Sequence, residues 1–179
     1  GISYSHLGQG DMDTADLAAI RRGGLKLGVG THCPEELGRA LSYAPDYVAL
    51  GPIWETKLKK MAFGPQGVEK LTVWKKQVGD TPVVAIGGIT LERVKPCLNA
   101  GADCVSAVSA FTGHAELLEE IRPARPIAET LCVCLALNDY WQAALDEGTA
   151  YIHLGQEYMV LADLSAIRRG WLKLGGSTH

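Results

Sequence analysis

The two ends of the chain carry the same segment. Residues 1–32 and 148–179 are identical at 21 of 32 aligned positions. HLGQ at 6–9 returns at 153–156, AIRRG at 19–23 returns at 166–170, and LKLG at 25–28 returns at 172–175. Each copy reads as strand, helix, strand. A fold that admits both copies is assembled from like units set side by side. Convergence does not give so close a match. A duplication, a permutation carrying an overlap or an engineered rearrangement does, and the last two suit a match that runs to both ends of the sequence.

Between the copies, short apolar runs alternate with helix-like segments, the pattern of a parallel sheet covered by helices. Strands are predicted near 3–8, 25–30, 46–51, 82–87, 103–109, 131–137, 150–154 and 172–177. Helices are predicted over 14–23, 34–43, 66–77, 91–100, 114–121, 140–147 and 161–170. Thr14 and Thr90 are candidate N-caps, and Pro34 suits a first helical position. Eight strands is the number that closes a ring filled by its own side chains. The expectation is one α/β domain over 1–179, a (β/α)8 TIM-type parallel barrel, with 1–32 and 148–179 as near-duplicate βαβ segments. At 179 residues the chain is short for that fold, which usually takes about 250. Pro123 and Pro126 mark the longest break and the expected join between two pieces.

A net charge of −3 gives no electrostatic reason to expect nucleic acid or an acidic membrane as partner, so an anionic ligand must be held by local groups. No run approaches the roughly 18 apolar residues of a membrane span. The first residues, GISYSHLGQGD, lack the basic and apolar regions of a signal peptide. The five cysteines, Cys33, Cys97, Cys104, Cys132 and Cys134, form no CxxC pair and fit free thiols in a reducing cytoplasm.

Four blocks carry a resemblance. They are HLGQGDM at 6–12, YVALGPIWETKLKKMAFGPQGVEKL at 47–71, PVVAIGGIT at 82–90 with GADCVSAVSA at 101–110, and LALNDYWQAALDEG at 135–148. Together they resemble thiamine phosphate synthase. In the order of that family the NDYW strand comes third and the HLGQ strand fourth. Here the fourth to eighth strands come first, the third follows, and a second copy of the fourth and fifth comes last. The strand order is rearranged, and the family's first two strands, with their Gln-x-Arg-x-Lys strand end, have no counterpart.

The resemblance implies a Mg²⁺-dependent transferase of thiamine biosynthesis. It would join a hydroxymethylpyrimidine group to a thiazole phosphate and release pyrophosphate. Asp11 and Asp139 match the metal ligands. Asn138 matches a pyrophosphate contact, and Thr56 and Lys59 match the pyrophosphate loop. Gly87, Gly88, Val108 and Ser109 match the thiazole-phosphate site, where bare amides after adjacent strands can cradle an anion. Small phosphate-bearing molecules are the implied partners.

Three positions depart from the pattern. Leu58 stands where the family usually has a second Thr. Gly30 replaces a Ser that Ser177 retains in the second copy. Tyr158 replaces, in the second copy, the Asp that the first keeps as Asp11. Each role also has a plainer reading. Asp139 suits a helix cap, Asp11 a tight turn, and Lys59 a solvated loop with Lys57 and Lys60. Two alternatives stand beside an impaired synthase. One is a non-catalytic, natural or engineered, phosphate-binding barrel. The other is a thiazole tautomerase-like isomerase using His32. Like segments also compete for one slot, so a homodimer that exchanges the repeated segment is the rival to a single-chain ring.

Overall fold

A computed structural model describes residues 2–56, 63–106, 119, 122–123, 126, 129, 135–138, 141–149, 151–154, 161–170 and 173–177. The strands are β1 (Ile2–Leu7), β2 (Lys26–Thr31), β3 (Tyr47–Leu50), β4 (Val83–Ile86), β5 (Cys104–Ser106), β6 (Leu135–Asn138), β7 (Tyr151–Leu154) and β8 (Lys173–Ser177). The described helices are α1 (Leu17–Arg22), α2 (Pro34–Ser42), α3 (Val68–Val78), α4 (Leu91–Asn99), α5 (Trp141–Asp146) and α6 (Leu164–Arg169). This is an α/β fold on a parallel sheet. Neighbouring strands pair in chain order, and β8 pairs with β1 to close the ring. The two copies of the repeated segment therefore lie side by side, with Ile2 opposite Leu174 and His6 opposite Ser177.

Period-two alternation sets the two faces of the sheet. On β2, Leu27, Val29 and Thr31 are buried. Leu27 and Val29 belong with Leu7, Val48 and Leu50 to a core that takes in Leu37 and Ala40 of α2 and Leu71, Trp74 and Val78 of α3. A second core joins Ile152, Leu154 and Leu174 to Ala143, Ala144 and Ile167. Trp74 is the largest fully buried side chain. Its Nε1 donates to Thr31 Oγ1 at 3.1 Å, and that hydroxyl donates to the Ala49 carbonyl at 2.9 Å. The indole is thus satisfied inside an apolar layer, and truncating such a residue to Ala costs about 3–5 kcal/mol.

The inner face of the ring is more polar. His6 Nδ1 lies 3.0 Å from the Tyr47 hydroxyl, and the two rings stack at 5.7 Å. Gly28 makes room for this pair, since a Cβ there would lie 2.0 Å from the Tyr47 ring. Burial pushes the Tyr47 hydroxyl well above its usual pKa. At the other end of the strands one device recurs. Asp46 accepts from Leu27 N at 2.8 Å, and Asp103 accepts from Val83 N at 2.8 Å. Each carboxylate, just ahead of its own strand, satisfies the open N–H of the strand beside it.

Several predicted boundaries shift. Helix α1 starts at Leu17 rather than near Thr14, because Asp11–Asp13 forms a short 3-10 turn first. Asp16 is the cap, accepting from Ala19 N at 2.8 Å, while the Thr14 hydroxyl bonds the Asp11 carbonyl. Pro34 opens α2 as expected. Thr90 stands at the N-cap of α4, but its side chain makes no capping bond. The helix predicted at 114–121 falls almost wholly outside the described residues.

Candidate phosphate-binding site at the strand ends

Two groups of predicted residues gather at the carboxyl ends of the strands, where barrels of this type carry their sites. The first lies beyond β1. Asp11 Oδ2 accepts the Gly8 N–H at 3.0 Å, and Asp11 N donates to the Gly8 carbonyl at 3.2 Å. The carboxylate thus closes the turn that carries it. Beside it, Gln9 Nε2 donates to the Gly30 carbonyl at 2.7 Å, and Arg39 Nη1 donates to the Gln9 carbonyl at 3.1 Å.

The second group joins the ends of β3 and β4. Ile53 N donates to the Ile86 carbonyl at 2.9 Å, and Trp54 N donates to the Gly87 carbonyl at 3.1 Å. The segment leading to Thr56 is thereby folded over the end of β4. Gly87 (φ +91°) and Gly88 (φ +65°) sit in the left-handed region. A Cβ on Gly87 would lie 2.7 Å from Pro52, and one on Gly88 would lie 2.6 Å from the Glu55 carbonyl oxygen. Both backbone conformation and space restrict these positions to glycine. Arg93, in the first turn of α4, donates to the Gly88 carbonyl at 2.6 Å and lies 5.0 Å from the centre of the Trp54 ring.

His32 follows β2. Its Nδ1 lies 2.8 Å from Glu36 Oε2, and its ring stacks on Phe63 at 4.7 Å. A carboxylate only accepts, so Nδ1 carries the proton and Nε2 is the nitrogen available for exchange. Lys70 Nζ donates to the His32 carbonyl at 3.1 Å and stands 5.0 Å from the Trp74 ring.

The residues just before Thr56 lie against Gly87 and Gly88, while Asp11 follows β1 at a separate part of the rim. Asn138 is the last residue of β6. Lys59, Val108, Ser109 and Asp139 lie outside the described residues, as do Leu58 and Tyr158. Among the described residues, no three His, Cys, Asp or Glu side chains gather to hold a metal. Asp11 supplies a hard carboxylate oxygen beyond β1. That suits a Mg²⁺ held by one or two carboxylates with phosphate oxygens and water, and does not suit an all-protein cage. Sequence reasoning missed Gln9, Glu36 and Arg93. The i, i+4 spacing of His32 and Glu36 was a usable signal, and Gln9 sits within the HLGQ repeat itself.

A parallel sheet wrapped by helices, with glycine turns and a carboxylate at the strand ends, places the chain in the α/β class. The sequence profile described as thiamine monophosphate synthase matches residues 1–111 and, separately, 112–179. The chain belongs to the thiamine monophosphate synthase family. It is 58% identical over 112 residues to the thiamine-phosphate synthase of Rhizobium etli, covering 63% of this chain and 55% of that one. It is 54% identical over 107 residues to that of Neisseria meningitidis serogroup A, covering 60% and 52%. The chain spans about half the length of the curated relatives it matches. Among solved structures, a thiamine phosphate pyrophosphorylase from Pyrococcus furiosus aligns with a TM-score of 0.55 and 27% identity, over 70% of this chain and 58% of that one. The two profile matches meet between Phe111 and Thr112, ahead of the join expected at Pro123 and Pro126.

Proposed function

We propose that the chain is a thiamine phosphate synthase-like transferase whose activity the rearranged strand order impairs. The observation that carries this reading is the coupling of the Thr56 segment to the Gly87–Gly88 turn by the Ile53 and Trp54 amides. Two neighbouring strands then present one anion site next to another. In the reaction, the thiazole nitrogen forms a bond to the pyrimidine methylene carbon. The carbon–oxygen bond to pyrophosphate breaks, and the electron pair leaves with pyrophosphate.

Thr56, Lys59 and Asn138 hold the departing pyrophosphate in this reading. Lys59 and Asn138 are its catalytic residues, since they meet the charge that grows on the leaving oxygen. Gly87, Gly88, Val108 and Ser109 hold the thiazole phosphate. Asp11 and Asp139 would hold Mg²⁺, which neutralises charge on the leaving group. Strand order argues for impairment. β7 and β8 stand between β6 and β1. With strands about 4.8 Å apart, three spacings put the end of β6 about 14 Å around the ring from the end of β1. The test is direct: thiamine phosphate formation with Mg²⁺ present. Turnover matching an ordinary relative would remove the claim of impairment, and no product at any enzyme concentration would remove the synthase reading.

The same proposal includes a ring closed within one chain as a complete (β/α)8 TIM-type barrel, derived by permutation with a duplicated segment. Exchange of that segment in a homodimer is its rival. Light scattering with and without residues 148–179 separates them. The free thiols of Cys33 and Cys97 fit a cytoplasmic setting. A second reading, a tautomerase-like isomerase, is favoured by the His32–Glu36 pair, which holds one imidazole nitrogen ready for proton exchange. A phosphate-binding barrel without catalysis remains the outcome if both assays are silent and phosphate still binds.

A further inference from the structure

We infer that Gln9 is a specificity-determining residue, whose Oε1 accepts a hydrogen bond from an N–H group on the heterocyclic part of the ligand. The inference rests on the synthase reading for the class of ligand, and on the geometry for the residue.

Gln9 lies just beyond β1, two residues before Asp11, at the rim where substrates would enter. Its backbone is pinned by Arg39 Nη1, and its Nε2 donates to the Gly30 carbonyl. That carbonyl can only accept, so the amide must turn its nitrogen toward Gly30. The orientation of the side chain is therefore fixed by chemistry and not by choice of assignment. Its Oε1 is buried and has no hydrogen-bond partner among the described residues.

A buried acceptor without a donor is rare in a folded protein. At the mouth of a site, a ligand donor is the natural partner. Phosphate and pyrophosphate oxygens are acceptors, so neither of the two charged groups in the reaction can satisfy Oε1. Of the groups the reaction brings, those able to donate lie on the organic ring system. A site built around such a donor rejects the analogue lacking it, because the analogue leaves the buried acceptor unpaired.

The experiment uses the full chain labelled with ¹⁵N at glutamine. The probes are 4-aminopyrimidine and pyrimidine, which differ by the one amine. The amine should shift the Gln9 side-chain NH₂ signals and bind at least about tenfold more tightly. Gln9→Met should erase the difference. Pyrimidine, which lacks the amine, should bind Gln9→Met as it binds the unaltered chain, and that guards against a Met variant that fails to fold. Equal binding of the two probes to the unaltered chain would overturn the inference. So would a preference that survives in Gln9→Met, or equal shifts from Mg²⁺ alone, which would make Oε1 a metal ligand. A parallel assay for thiamine phosphate separates the two claims. Product without amine preference sinks the role of Gln9 and leaves the synthase reading. Amine preference without product does the reverse.

Discussion

Arg93 Nη1 donates to the Gly88 carbonyl at 2.6 Å, while its guanidinium lies 5.0 Å from the centre of the Trp54 ring. One side chain thus fastens the glycine turn after β4 to the segment after β3. Arg93→Ala should cost about 1–2 kcal/mol of stability, from a charge-assisted bond and a cation–π contact. Phosphate binding should weaken several-fold as the turn loosens. Arg93→Lys should recover the charge but not the planar stack. Urea denaturation and phosphate titration check the two effects separately.

Gly88→Ala is expected to be worse. The new methyl would meet the Glu55 carbonyl at 2.6 Å in a backbone conformation that alanine avoids. Strain and overpacking together should cost about 2–4 kcal/mol. The loss should appear as a lower denaturation midpoint, with anion binding gone even where the protein remains folded. A stable Gly88→Ala variant with normal phosphate affinity would show that the turn is looser than described.

Asp11 closes its own turn and, in the proposed reading, also holds Mg²⁺, and substitution can part the two. Asp11→Asn keeps an oxygen for the Gly8 N–H and removes the charge. Stability should change by less than about 1 kcal/mol, while any Mg²⁺-dependent binding of pyrophosphate falls at least about tenfold. Asp11→Ala should lose both. Thermal melts, with calorimetry of pyrophosphate at two Mg²⁺ concentrations, distinguish the variants.

Gly30→Ser tests the departure at the end of β2. A Cβ there would stand 3.4 Å from His6 Nε2, ordinary contact. The fold should accept it within about 0.5 kcal/mol. A hydroxyl restored at this rim should raise any residual transfer activity, measured as product formed at limiting pyrimidine substrate.

The thiol of Cys97 gives a pH signature. Burial pushes its pKa up from 9.0 to about 11. A raised pKa means the folded state holds its proton longer than the unfolded chain does. The stabilisation is full below pH 9 and is lost as pH rises toward 11. The change is on the order of 2 kcal/mol across that window. Comparing urea midpoints at either end for the unaltered chain and Cys97→Val isolates it from other titrating groups.

Strand positions were legible because short runs rich in apolar residues, such as LKLGVG at 25–30 and YVALG at 47–51, alternate with helix-like segments. The glycine turn was legible too, since only glycine tolerates those angles and that crowding. The start of α1 was not. Thr14 and Asp16 are both good capping residues, and the 3-10 turn at Asp11–Asp13 decided between them. Arg93, Glu36 and Gln9 were hidden for a different reason. Their roles depend on partners 5, 4 and 21 residues away, and apart from the i, i+4 spacing of His32 and Glu36 nothing local marks which polar side chain finds such a partner.

The pairing of β1 with β8 has a mechanical side. Because these strands are parallel, Ile2 and Ser177 stand at opposite ends of one seam, roughly 13 Å apart along the strand direction. Tension applied between those two points pulls the seam lengthwise, and all of its backbone bonds carry load together. They cannot peel one after another, as they would in an antiparallel closure. The ring is therefore loaded in shear across the boundary where its two like segments meet. Resistance to pulling should fall sharply once a single proline removes a backbone donor from the middle of either strand.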